Sequence, residues 1–332
     1  MSDTPFVHLH LHTEFSLVDS TVRIPELMQQ CAADGMPAVA MTDQNNLFGM
    51  VKFYRKAMAA GIKPIIGVDL RISNDEEPNR PFHLILLCQN NTGYQNLSRL
   101  VSRTYRDGQV RGEPQARREW LDRESCEGLI ALSAGMHGDV GRALLNEHVE
   151  QAAALLNGWR DVFDDRYYLE LIRTGRSGEE ECVQASLRLA VAESVPVVAS
   201  NDVRFIGRDD FNSHEARVCI HDGCTLADPG RPRNYSENQY LRNSAKMAEL
   251  FSDVPAAIEN AFEIGRRCNL DLKLGHSVLP AFPVPEGKTE AEFLAAEAAQ
   301  GLQAKLEELF AANLTPDQER PTISAPYEER LQ

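Results

Sequence analysis

The sequence predicts an α/β barrel, and three observations carry that prediction. Seven short runs rich in β-branched and aliphatic residues recur along the chain: Val7–Leu11, Ala38–Thr42, Pro64–Leu70, His83–Leu87, Leu129–Ser133, Tyr167–Ile172 and Val195–Ser200. Helix-period segments separate most of them, so the strands are expected to run parallel, in a closed barrel or an open doubly wound sheet. No glycine-rich fingerprint follows the first strand, which weighs against a dinucleotide-binding sheet and favours the barrel.

Composition removes several function classes. The chain has 332 residues, 43% hydrophobic and 25% charged, enough for one large soluble domain or two smaller ones. Lys and Arg number 34 against 49 Asp and Glu, a formal net charge of −15. Autonomous nucleic-acid binding needs a surplus of cations, so this acidity argues against it. No apolar run approaches the roughly 20 residues of a membrane helix. Met1–Pro5 has neither a basic nor an apolar character, so no signal peptide is expected. The seven cysteines (31, 88, 126, 182, 219, 224 and 268) are odd in number, scattered, and contain no CxxC pair. They read as reduced, cytoplasmic, mostly buried thiols, neither a disulfide frame nor a zinc site.

The first run, Phe6-Val7-His8-Leu9-His10-Leu11-His12-Thr13, is the most informative. Side chains alternate faces along a strand, which places Val7, Leu9 and Leu11 on one side and His8, His10 and His12 on the other. Three imidazoles on one face are suited to divalent-metal ligation, and Asp19 follows as a candidate carboxylate. The spacing of Ile24, Leu27, Met28 and Cys31 predicts a helix that Gly35 stops. Leu47, Met50, Val51 and Tyr54 repeat it, with Gly61 as the stop. Asp43, Asp69 and Asp202 each stand at or just past the end of a predicted strand, where barrels carry their sites. Singly, each reads as a turn or cap residue; their recurrence favours a shared pocket. His83 is out of place, at the start of its strand.

After about residue 270 the character changes. Leu279–Pro285 is an extended, Pro-punctuated connector. Thr289–Leu309 is an Ala/Glu/Leu-rich helix with Phe293, Leu294, Leu302, Leu306 and Leu309 on one stripe that needs a cover. Tyr327–Gln332 begins another helix, so the chain is expected to be a piece of a longer protein. The expected organisation is a domain over 1–275, a linker over 276–288, and the start of a further region over 289–332.

Several segments in order resemble the PHP (polymerase and histidinol phosphatase) domain. They are His8-Leu9-His10-Leu11-His12-Thr13-Glu14-Phe15-Ser16-Leu17-Val18-Asp19, Met41-Thr42-Asp43-Gln44-Asn45-Asn46-Leu47-Phe48-Gly49, Lys63–Asp69, Leu86–Leu97 and Ala199–Phe205. More closely, the whole chain resembles the N-terminal part of bacterial DNA polymerase III alpha subunits, the C-family replicative polymerases. The resemblance implies a distorted seven-stranded (β/α)7 barrel followed by a linker and the helical start of the polymerase palm and thumb region.

In family members with an intact site, nine side chains bind up to three divalent metals, usually zinc or manganese, for phosphoester hydrolysis. By motif this chain keeps His10, His12, Asp19, Asp69 (Glu in many relatives), His83 and Asp202, with His8 and Asp43 beside the pocket. Three positions depart. Gln44 stands where the family has His, Gly135 (after Ala134) stands where Cys or His is expected, and Arg204 replaces a further His. A guanidinium has no lone pair to donate and keeps its charge, so Arg204 would act as a built-in cation.

The resemblance thus implies a vestigial pocket that holds no metal, or at most one weakly held zinc or manganese ion. The implied role is a scaffold for the polymerase and a docking site for the proofreading exonuclease (epsilon) subunit, within the polymerase III holoenzyme. DNA would be reached only through the full-length protein, whose palm aspartates lie downstream of residue 332 and use magnesium. This fragment is therefore expected not to synthesise DNA and to carry no catalytic residue. The alternative is an active metal-dependent phosphoesterase, a 3′–5′ exonuclease or pyrophosphatase, using the same pocket.

Overall fold

The computed structural model describes residues 5–277 and 279–331. Met1–Thr4 of the N-terminal reading, Val278 of the linker and Gln332 of the last helical stretch lie outside the described residues. The chain divides into two compact units, Met1–Leu272 and Lys273–Gln332.

The first unit alternates strands and helices. After an extended N-terminal segment come α1 (Ile24–Ala33), β1 (Ala38–Gln44), α2 (Met50–Ala59), β2 (Lys63–Ile72), β3 (Phe82–Cys88) and α3 (Asn91–Asp107). A small hairpin follows, β4 (Gln109–Val110) and β5 (Glu113–Pro114), then β6 (Leu129–Leu132), α4 (Asp139–Leu145) and α5 (Val149–Phe163). The unit continues through β7 (Tyr167–Ile172), α6 (Glu179–Glu193), β8 (Val197–Ser200), α7 (Phe211–Asp222), α8 (Ser244–Leu250) and α9 (Pro255–Arg267). Among the described residues the main sheet has six strands in the order β1-β2-β3-β6-β7-β8. It is a curled sheet with helices packed against it, and its strands and helices share one apolar core that includes Leu9, Ile66, Leu86, Ile130 and Leu169.

Three expectations need correction. The sheet is mixed, not parallel: β3 runs against both β2 and β6, while β1–β2, β6–β7 and β7–β8 are parallel. Residues 73–81 between β2 and β3 are too few for a parallel crossover, which takes a dozen or more.

The first run is not a regular strand. The His8 and Leu11 carbonyls accept from Ala40 and Thr42 at 2.8 Å each, whereas His12 N–H and the His10 carbonyl pair with Val203 at 2.9 and 3.1 Å. Leu11 N–H goes to the Thr42 hydroxyl at 2.9 Å. The segment is a seam bridging β1 to the chain just after β8, so it divides its hydrogen bonds between two neighbours and completes a ladder with neither.

The stripe of α2 is also rotated from the predicted one. Met50, Phe53, Tyr54 and Ala57 are buried, and Val51 is exposed.

The second unit holds α10 (Glu290–Ala312) and α11 (Arg320–Leu331). Thr289 and Glu292 form a reciprocal cap that starts α10 three residues from the acidic side chain. Leu306 is the buried residue of that helix, and Leu294 is 69% exposed, so most of its apolar stripe is uncovered among the described residues. Leu302, Leu306, Leu309 and Ala312 line a shallow groove with Tyr327 of α11.

Candidate functional site

A cavity of about 190 Å³ opens in the first unit where the sequence placed its candidates. His10, Asp19, Gln44, Asp69, His83 and Arg204 all line it. The reversed β3 explains the odd position of His83. Because β3 is antiparallel to β2, its first residues lie beside the last residues of β2, with Arg71 opposite His83. The His83 Nδ1 is 2.9 and 3.0 Å from the two oxygens of Asp69.

His10 and His12 project from the N-terminal seam with their Nε2 atoms 3.2 Å apart. Asp202 Oδ1 is 3.5 Å from His10 Nε2, and Asp69 Oδ2 is 3.5 Å from His12 Nε2. On its other nitrogen His10 meets Glu170 Oε1 at 3.0 Å, and the Ser200 hydroxyl donates to the same oxygen at 2.5 Å.

Burial opposes a charge on His10, but Glu170 and Asp202 outweigh it and hold the imidazole up at about 9. Burial and the Arg204 charge push His12 down to about 3. His10 is thus the cation and His12 the neutral ring at neutral pH. The assignment is consistent along the chain of contacts: His10 donates to His12 Nε2, and His12 Nδ1–H donates to Ser16 Oγ at 2.9 Å. Ser16 in turn donates to Asp43 Oδ1 at 2.7 Å.

Arg204 occupies the opposite side. Its Nε donates to Asp202 Oδ1 at 2.7 Å, and its Nη1 pairs with Asp19 Oδ2. The Tyr235 hydroxyl also donates to that Asp19 oxygen, at 3.1 Å. The second Asp202 oxygen is taken by Arg176 Nη1 at 3.2 Å and Gln239 Nε2 at 2.8 Å. Burial disfavours the Asp202 carboxylate, but Arg204, His10 and Arg176 together hold it well below the usual range. Asp19 is likewise lowered, burial being overcome by Arg204. Asp202 itself sits at φ 43°, a left-handed conformation rare for a residue with a Cβ.

Two candidates stand elsewhere. His8 is buried with Nε2 2.7 Å from the Arg242 carbonyl and its ring edge-on to Phe6, and burial lowers it to about 4. It does not line the cavity, because the seam bends between its two partners and breaks the strand alternation. Asp43 accepts from Thr13 N–H at 2.6 Å, Thr13 Oγ1 at 2.7 Å and Ser16 Oγ, so it anchors the turn after the seam.

Of the departing positions, Gln44 accepts from Arg71 Nη2 at 2.9 Å. Gly135 has φ 51°, and a Cβ there would lie 3.1 Å from Ile172 Cδ1; the preceding Ala134 lines the cavity. Sequence reasoning missed Glu170, His137, Arg176 and Tyr235. Glu170 left a signal, the one charged residue in the otherwise apolar or aromatic run Tyr167–Ile172. The other three belong to no strand pattern.

The donor set fits one ion on the histidine side. One ligand atom each from His10, His12 and Asp202 lies within 4.8 Å of the others. A spacing of 3.2 Å between two nitrogens suits neighbouring ligands of a tetrahedral ion. An ion there must displace the proton of His10 and compete with Arg204 for Asp202. The Asp19 side does not fit, since the guanidinium fills it.

A model of the PHP domain matches residues 8–174, half of the chain. The chain is similar to the DNA polymerase III subunit alpha of Pseudomonas aeruginosa, 50% identical over 314 residues, covering 95% of this chain and 27% of that protein. It is also similar to those of Escherichia coli K12 and Vibrio cholerae, 47% and 46% identical over 333 residues, covering 100% of this chain and 28% of each. It therefore spans little more than a quarter of the length of these relatives.

Among solved structures it is similar to an amidohydrolase from Chromobacterium violaceum (14% identity, TM-score 0.44, covering 64% of this chain and 96% of that one). A putative metal-dependent phosphoesterase from Bifidobacterium adolescentis is comparable (14%, TM-score 0.43, covering 74% and 95%). With the family match spanning half of its length and the matched motifs lining its cavity, the chain belongs to the PHP domain family.

Proposed function

We propose that this chain is the N-terminal part of a replicative DNA polymerase III alpha subunit, acting in the cytoplasm. In this reading its PHP domain is a scaffold that stabilises the polymerase and docks the proofreading exonuclease subunit. Residues 276–288 are the linker and 289–332 the start of the polymerase region, whose magnesium-dependent chemistry and DNA contacts belong to the full-length protein.

The observation that carries the scaffold reading is Arg204, buried between Asp19 and Asp202 where it neutralises two carboxylates. A resident guanidinium does by covalent attachment what a bound cation does elsewhere: it holds the acidic side chains together without a metal. The convergence of His10, His12 and Asp202 supports a second reading, a phosphoesterase retaining one divalent ion.

Metal content after dialysis and capture of the purified exonuclease subunit separate the two. The scaffold predicts a stoichiometry near zero and stable capture. One or more retained zinc or manganese ions, together with phosphodiester hydrolysis, would establish the enzyme instead. Limited proteolysis addresses the domain reading: the earliest cuts are expected after about residue 280, and earliest cuts inside the barrel would overturn it.

A further inference from the structure

Two cysteines away from the cavity occupy adjoining positions at the end of α7. Gly223 follows the helix at φ 67°, ψ 27°, the left-handed conformation that glycine adopts without a Cβ penalty and that turns the chain back on its last turn. Both Gly223 and Cys224 N–H groups then donate to the carbonyl of Cys219, the latter at 3.0 Å. In this helix ending the residue after the left-handed position meets the side chain of the residue five places earlier. Here both are cysteines. A backbone hydrogen bond of 3.0 Å also keeps the two Cα atoms within about 7 Å, the outer limit for bridging without backbone movement.

The neighbouring Cys219 side chain, then burial, raises the Cys224 thiol above its ordinary value, so its thiolate is the minor form at neutral pH and the attack on peroxide is slow. Cys219 is buried and Cys224 half-buried, so an oxidant meets Cys224 first. Arg231, ion-paired with Glu215 on the same helix, is close enough to attract the thiolate of either. The other five cysteines are all buried.

We propose that Cys219 and Cys224 are a redox-reactive pair that closes reversibly into a disulfide across the end of α7. The oxidant is a peroxide. The Cys224 thiolate attacks a peroxide oxygen and displaces hydroxide, which leaves with a proton as water, so that Cys224 becomes a sulfenic acid. Cys219 then attacks that sulfur, the S–O bond breaks, and a second water leaves as the disulfide forms. Two electrons pass from the sulfurs to the peroxide, and a dithiol reductant reverses the step. Such a bond in a reducing compartment is transient and sensing, not structural. It pins the start of the segment that returns Arg231 to Glu215 and Tyr235 to Asp19, so oxidation at the helix end reaches the cavity rim.

The test treats the purified chain with hydrogen peroxide, then blocks free thiols and digests with trypsin. Val218–Arg233 carries both cysteines in one peptide, because Arg231 precedes Pro232. The expected result is loss of two hydrogen masses from that peptide, reversed by dithiothreitol. Cys224→Ser should abolish the loss, and Cys219→Ser should leave Cys224 as a sulfenic acid trapped by dimedone. The proposal is overturned if Cys224 proceeds to sulfinic acid in the parent, if the bond joins a different pair, or if the peptide resists peroxide while both thiols remain alkylatable.

Discussion

In the first unit charge is buried and apolar surface is covered; in the second the reverse holds. Asp19, Asp69, Asp202 and Arg204 are each at most 6% exposed. Of the described residues from 273 on, Leu306 and Thr315 are the buried ones, while Leu294 and Leu314 lie open. The first unit holds its charges because each carboxylate has a fixed partner, an arrangement that needs four distant segments to converge. The helices α10 and α11 rest on local means: a reciprocal cap, i,i+3 ion pairs and one small apolar contact. Helix formation can be encoded within twenty residues, whereas a buried ion network must be assembled by the whole unit.

Removing Arg204 is the severest test of that contrast. Arg204→Met should cost about 3–5 kcal/mol, because Asp19 and Asp202 are left buried without their guanidinium. The urea unfolding midpoint reads it, and a loss under about 1 kcal/mol would mean the network does not hold the cavity.

Rebuilding the ligands should come next in size. In the double variant Gln44→His, Arg204→His, zinc at a hundredfold its Kd should stabilise by about 2.7 kcal/mol, since it binds only the folded state. The parent should show no such gain. Gly135→Cys is left out because its φ of 51° and its approach to Ile172 oppose a side chain there. Equal shifts in melting temperature with and without metal for parent and variant would show that these positions do not make a metal pocket.

Ser16→Ala sharpens the picture on the histidine side. It removes one partner each from His12 and Asp43 and should cost about 1–3 kcal/mol by chemical denaturation. Thermal unfolding unchanged from the parent would place those contacts outside the stabilising network.

The smallest effect belongs to the second unit. Leu294, 69% exposed, can be changed to Glu with less than about 0.5 kcal/mol of consequence. A larger loss would mean that the stripe of α10 is covered in solution.

Much of this was legible in the chain. The strand runs from Ala38 onward, the α1 stripe of Ile24, Leu27, Met28 and Cys31, and the boundaries of β7 all follow from periodicity, which is a property of neighbours in sequence. His10 and His12 could be singled out by their alternation along the first run, and Asp69 and Asp202 because strand ends are where a barrel gathers its site. The resemblance to the PHP domain placed Arg204 among the carboxylates, and its fixed charge follows because guanidinium keeps its proton in any surroundings.

What only the tertiary structure decided concerns direction and partners. The reversal of β3, which turns His83 from a misfit into the partner of Asp69, depends on how a nine-residue link crosses the sheet edge. The bending of the N-terminal seam, which sends His8 to Arg242 and leaves His10 and His12 together, depends on two neighbours more than thirty residues away. Glu170, Arg176 and Tyr235 enter the site from three further segments. Local pattern fixes which face of an element is apolar, because that follows from the residue repeat. Which polar groups meet on the other face is set by the order and sense in which distant elements pair, and no single stretch of the chain carries that information.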